Sequence, residues 1–248
     1  MPENQICYKK NFLTEVIARI DFLNPIISIP NEINPKFSKK VTSHFPQNEP
    51  EKSIINKVEF GPTPSFKTEE FTIWRFWNKT RTQQLVILPD AIFVSCTTYE
   101  NYEKLINPFV DIYSSLIEYY PESITKRIGL RYINNIELSE KAPFNWSPYI
   151  NSYLLANMKY CEDKSITARI FNTIVFKYPD FILQFKYGIH NPDYPSPIKK
   201  KIFVLDYDAF VQEGKTPEEI PTQLLSFHGK IQENFEKSIK DKLREKMS

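Results

Sequence analysis

Twice along this chain a series of strand-like alternations gives way to one long helical stripe, and that repeated order limits the fold more than any other feature. "EVIARIDF" (15–22) sets Val16, Ala18, Ile20 and Phe22 on one side and Ile17, Arg19 and Asp21 on the other, the period-two pattern of a half-buried strand. A proline- and asparagine-rich connection follows, with a short helix expected near 35–45. "KVEFG", "FTIWRFWN", "QQLVIL" and "AIFVSCTTY" then read as strands, with turns at "NKTRT" and "PD". Residues 100–120 change to a helical period. Tyr102, Leu105, Ile106, Phe109, Tyr113, Leu116, Ile117 and Tyr120 form one wide apolar stripe, which Pro121 ends.

The order then restarts. "ITKRIGLRYINNIEL" (124–138) is a long strand and "NWSPYINSYLL" a short helix candidate. "SITARIFNTIVFKY", "DFILQFKYGI" and "KKIFVLDYDAFV" are strands. A last helix is expected from about Pro221, which suits a first helical position. Its buried stripe reads Leu224, Leu225, Phe227, Ile231, Phe235, Ile239 and Leu243, and its charged tail is expected to fray. In the two passages "ARIDF" answers "KRIGL", "FTIWRFWN" answers "FILQFKYG", and "LVILPDAIFV" answers "IFVLDYDAFV". The expected fold is α+β. Internally duplicated β-α-β-β-β(β)-α units, half one at about 8–121 and half two at about 122–248, make a single pseudo-duplicated domain. They are expected to form one large curved antiparallel sheet with the long helices on one face and the other face open.

Bulk properties exclude several classes. A net charge of +2 is no polycation, so any nucleic-acid role needs a local basic patch. Cysteines at 7, 96 and 161 form no CxxC, which points to reduced thiols and a cytoplasmic location. "MPENQICYKKNF" lacks the apolar run of a signal peptide, and no stretch approaches the 18 apolar residues of a membrane span. The sequons at 78–80 and 145–147 are then chance matches.

Enzyme signatures are weak. "AFVQEGKT" (209–216) resembles the end of a P-loop, but Ala209 stands where glycine is needed and Glu213 would sit among phosphate oxygens. His44, His190 and His228 have no metal-ligand spacing, so no metal and no cofactor is expected. His228 lies beside the apolar stripe of the last helix and reads as packing at the core edge. Asp206 and Asp208 share a strand face, where pairing to arginine is the simplest use. Their alternative use is as the carboxylates of a phosphoryl-handling or hydrolytic site in the sheet concavity.

The more informative stretch is "RIGLRYINN" (127–135), which places one of only five glycines inside a strand. Glycine packs nothing there, so a neighbour or a ligand needs the space. Ile128, Leu130 and Tyr132 share one face; Arg127, Gly129, Arg131, Ile133 and Asn135 share the other. Alternation elsewhere puts Arg19, Arg75, Trp77, Arg169, Gln184 and Lys186 at equivalent places. Arginine interleaved with aromatics on a sheet face binds anions or stacks bases. The competing arrangement is a solvated face in which these arginines pair with Asp21, Glu59, Asp206 and Asp208. The expected partner is accordingly nucleic acid, an anionic small molecule or a protein, and no membrane.

"YKKNFLTEVIARIDF", "RIGLRYIN" and "SFHGKIQENFEKSI", in this order, resemble a sporadically distributed prokaryotic protein family of about this length. The most specific pieces are Arg127, Gly129, Leu130, Arg131, Tyr132 and Asn134 in one strand and His228 with Phe235 in the last helix. Tyr102 stands where the family has a tryptophan. The resemblance covers nearly the whole chain. It implies a shared fold and an accessory or defence-type role, and it supplies no catalytic residues.

Overall fold

In a computed structural model, the alternation at 15–22 becomes strand β1 (Leu13–Phe22), with Val16, Ala18, Ile20 and Phe22 buried. The structure describes residues 8–59 and 65–248; Cys7 and the end of the "KVEFG" segment lie outside the described residues. The elements that follow are α1 (Pro35–His44), β2 (Gln47–Asn48), β3 (Glu51–Glu59), β4 (Ser65–Trp77), β5 (Gln83–Leu88), β6 (Ala91–Cys96), α2 (Tyr102–Tyr119) and β7 (Thr125–Glu137). After a 3-10 turn at Ser152–Leu155 come α3 (Ala156–Tyr160), β8 (Ile170–Lys177), β9 (Ile182–Ile189), β10 (Ile202–Val211), α4 (Ile220–Ser238) and α5 (Asp241–Met247). Among the described residues, ten strands form one antiparallel sheet in the order β2-β4-β5-β6-β1-β7-β10-β9-β8, with β3 paired to β4. Together with the helices this makes the chain α+β. Contacts divide it into two compact units, one of residues 17–128 with 212–221, the other of residues up to Val16 with 129–211 and 222–248.

In the unit containing 17–128, local chemistry sets both helices. Asn34 caps α1, its side chain accepting from the backbone of Lys36 and Phe37, and Pro35 supplies a preset first turn. Asn101 caps α2 by accepting from the Lys104 amide at 2.9 Å. The expected stripe of α2 is buried from Tyr102 to Leu116. The Tyr120 ring packs edge-on against Phe37, and its hydroxyl accepts from the Asn34 amide at 2.7 Å, tying the end of α2 to the start of α1. Strands β4, β5 and β6 pair so that Arg75, Val86 and Phe93 lie in one row and Trp77, Gln84 and Ser95 in the next.

In the other unit, β8, β9 and β10 place Thr173, Lys186 and Asp206 in one row and Val175, Gln184 and Asp208 in the next. Their buried side carries Phe185 stacked on Tyr207 at 4.4 Å and Phe181 edge-on to Phe227 at 4.9 Å. Three details differ from expectation. The segment 165–178 is not all strand, because an Asp163-centred turn (Ser165 donates to its carboxylate, Thr167 to its carbonyl) holds the chain until Ile170. Leu225 is 37% exposed, since the buried row runs through Ile220, Leu224, Phe227 and Ile231 and leaves Leu225 on its flank. The tail does not fray. Helix α4 stops at Ser238, Ile239 bridges to Ile150, the Lys240 amide donates to the Tyr149 carbonyl, and α5 then buries Leu243 and Met247.

Candidate functional site

The intermediate-burial side of the strands carries the charged residues that alternation singled out. In the unit of residues 17–128, Arg19 donates from Nε to Asp21 at 2.7 Å and lies over the Phe93 ring, 5.6 Å from its centre. Arg127 approaches the same Asp21 at 3.7 Å. Arg75 donates to Glu51 at 3.0 Å and to Gln84 at 3.4 Å, and Gln84 passes the chain on to the Ser95 hydroxyl at 3.0 Å. Arg81 lies over Trp77, 5.8 Å from its centre, and donates to Gln47 and Glu49. Arg19 and Arg75 keep 37% and 32% of their side-chain surface exposed, so these guanidiniums are held in place yet accessible.

In the unit of residues 129–211, Arg131 makes a two-pronged pair with Asp206, from Nε to Oδ1 at 2.8 Å and from Nη2 to Oδ2 at 2.7 Å. The hydrogen bonds that Arg131 donates to Asp206 hold its guanidinium above its ordinary pKa. Asp206 is almost fully buried, and both its oxygens accept hydrogen bonds from Arg131. Lys186 stands opposite Asp206 in the strand register. Arg169 lies one residue ahead of β8, stacked on the Tyr194 ring at 4.1 Å, and so falls outside the strand face on which alternation put it. Among the described residues no cluster of His, Cys, Asp or Glu is arranged to hold a metal ion.

Tyr132, Asn134, His228 and Phe235 make contacts that join β7, β10 and α4. The Tyr132 hydroxyl meets His228 Nδ1 at 3.0 Å, joining β7 to α4. Asn134 donates to the Leu205 carbonyl at 3.4 Å. Phe235 packs edge-on to Tyr8 and to Tyr207, each with ring centres 6.5 Å apart. Tyr207 itself donates to the Ser238 hydroxyl at 2.8 Å, and burial pushes its own pKa far up. Gly129 is buried in β7 between the two arginines of its strand face.

Two features escaped the sequence reading. A cleft of about 650 Å³ lies in the 142–164 segment, walled by Pro143, Phe144, Leu155 and Met158, with Lys159 and Lys164 also lining it. Lys201, read only as the start of a strand, is a fully buried ammonium bonded to Glu140 at 2.6 Å. The signal for it was the lysine directly ahead of the apolar run "IFVL", since a charge entering a core needs a partner. No protein-family model matches the sequence, and a search of curated proteins finds no match.

Proposed function

We propose that this chain is a non-enzymatic binding protein that holds an anionic ligand on the arginine- and aromatic-bearing side of its strands. The observation that carries this reading is the arrangement of Arg19 and Arg75. Each guanidinium is fixed by a carboxylate, Arg19 sits on an aromatic ring and Arg75 is wired to a glutamine, and both stay about one-third exposed. A flat, preoriented fork of donors beside an aromatic surface suits phosphate or carboxylate and stacks planar groups. Trp77 and Arg81 extend the same kind of surface. Asp206, locked to Arg131, supports binding over hydrolysis.

The same proposal includes internal duplication. Within one half β1 neighbours β6, then β5, then β4; within the other β7 neighbours β10, then β9, then β8. Each half also starts with a strand, passes a short helix and ends in a long one. The absence of a disulfide between Cys96 and Cys161 supports a cytosolic setting. Among the described residues no helix is long and apolar enough to cross a membrane. An accessory, regulatory role rests on the family resemblance.

The test starts from the purified protein, with absorbance ratio and native mass spectrometry used to find a co-purified ligand. A fluorescent single-stranded oligonucleotide then serves as polyanion probe for wild type, Arg19→Ala and Arg75→Ala across a salt series. Loss of one phosphate contact flattens the slope of log K against log salt by about 0.7–0.9. Unchanged affinity and slope in both folded variants, with no anion co-purifying, would sink the proposal.

A further inference from the structure

We propose that Lys201, Lys242 and Lys246 form a second, separate anion site that takes a phosphate group. The three ammoniums converge on one ring: Lys201 lies 5.1 Å, Lys242 5.1 Å and Lys246 5.8 Å from the centre of Tyr149. They come from distant parts of the chain. Lys201 precedes β10, and α5 carries Lys242 and Lys246 one turn apart on the same side. The break that ends α4 at Ser238 and ties Lys240 back to the Tyr149 and Ser147 carbonyls is what turns α5 toward the ring.

Such a cluster is electrostatically incomplete. With every nitrogen within 6 Å of one point, no two charges can stand more than about 11 Å apart, close to the Debye length of ~8–10 Å at ordinary salt, and they repel. The ring face offsets part of this, as does Trp146, 5.3 Å from Lys201. Glu140 offsets more, and both its oxygens are used: one accepts from Lys201, the other from the Tyr149 hydroxyl. The Lys201 bond comes first among the causes that hold the Glu140 carboxyl below its ordinary pKa. The other charges of this region are engaged elsewhere. Arg244 is held by Glu236 and Asp241. Lys242 interacts with the Tyr149 hydroxyl and feels the Glu140 charge, and among the described residues no carboxylate lies within 4.0 Å of the Lys242 or Lys246 ammonium.

Three cations against one carboxylate leave two positive charges, the complement of a phosphate dianion. Lys201, with its side chain wholly buried, supplies a fixed field from behind, and the exposed Lys242 and Lys246 reach solvent to meet the ligand. Ammoniums act on phosphate as point charges and need no two-pronged geometry. This site shares no residue with the guanidinium face.

The experiment measures thermal unfolding and calorimetric titration with inorganic phosphate, and in a second arm with O-phosphoserine. Potassium chloride at equal ionic strength is the reference. Wild type is expected to gain stability with either anion beyond chloride, as a native-state ligand requires. Lys242→Gln/Lys246→Gln, two surface changes made in an Arg19→Ala/Arg75→Ala background that removes the sheet face, is expected to lose at least tenfold in affinity. Tighter phosphoserine than phosphate assigns the site to a phosphate ester; equal affinity assigns it to the phosphate group alone. A phosphate effect no larger than chloride, or an equal effect in the lysine variant, overturns the site. Loss of the phosphate effect in Arg19→Ala/Arg75→Ala with both lysines intact would move phosphate to the sheet face and overturn it as well.

Discussion

Gly188→Ala is expected to damage the β8–β9 pairing far more than one methyl group suggests. Gly188 stands opposite Phe171 of β8 and Val204 of β10, with φ at +157°. A Cβ placed there would lie 2.0 Å from the Ile170 carbonyl oxygen and 2.9 Å from both the Ile170 carbonyl carbon and the Phe171 Cα. All three are backbone atoms, so no rotamer change relieves the overlap. An unstrained heavy-atom contact needs ~3.5–4.0 Å, so β8 must retreat by about 1.5 Å at this point. That movement costs the one or two ladder hydrogen bonds beside it, ~0.5–1.5 kcal/mol each. The backbone conformation, poorly suited to a side chain, adds ~1–3 kcal/mol. The expected loss is about 1.5–6 kcal/mol, read as a lowered urea midpoint by far-UV circular dichroism and tryptophan fluorescence. Gly229→Ala is the matched control. Gly229 lies inside α4 with nothing within 4 Å of a new Cβ, so alanine should stabilise by ~0.5–1 kcal/mol. A Gly188→Ala protein within ~0.5 kcal/mol of wild type, beside a stabilised Gly229→Ala, would refute the steric reasoning.

Three further outcomes follow from individual contacts. Arg131→Ala strands the buried Asp206 carboxylate and should cost ~1–3 kcal/mol, with Asp206→Ala in the same background recovering part of it; a double-mutant cycle in urea measures the coupling. Lys40 first, and then His44, hold the Asp111 carboxyl below its ordinary 3.8, so its contribution is present above that value and is lost as pH falls through the depressed one. Acid titration should therefore show the difference between wild type and Asp111→Asn shrinking at low pH. Burial, and then the bond to Glu236, raise the Tyr8 hydroxyl from 10.0 to about 12, so its contribution is complete below pH 10 and fades as pH rises to about 12. Tyr8→Phe should flatten the stability profile across that alkaline window.

The sequence by itself determined the elements whose cause is local. Alternation at 15–22 and 124–138 was enough to place β1 and β7 and to say which side of each is buried, because a strand's side chains alternate whatever lies around it. The stripe that begins at Tyr102, with Pro121 behind it, was enough for α2. Gly129 could be singled out, and candidate acidic partners of the arginines could be named, since pattern shows which residues share a face. Pattern does not show which groups meet across strands. That Arg131 takes Asp206 with two hydrogen bonds while Arg19 and Arg127 share Asp21 depends on register and strand neighbours. Gly188 matters because of the Ile170 carbonyl across the ladder, a contact no local pattern contains. The tail from 236 onward reads as a fraying, charged helix end. Instead a backbone bridge from Ile239 to Ile150 breaks the helix and docks α5, carrying Lys242 and Lys246 to the ring of Tyr149 and beside the buried Lys201. These are long-range contacts, and their partners are chosen by packing the folded chain rather than by the period of its residues.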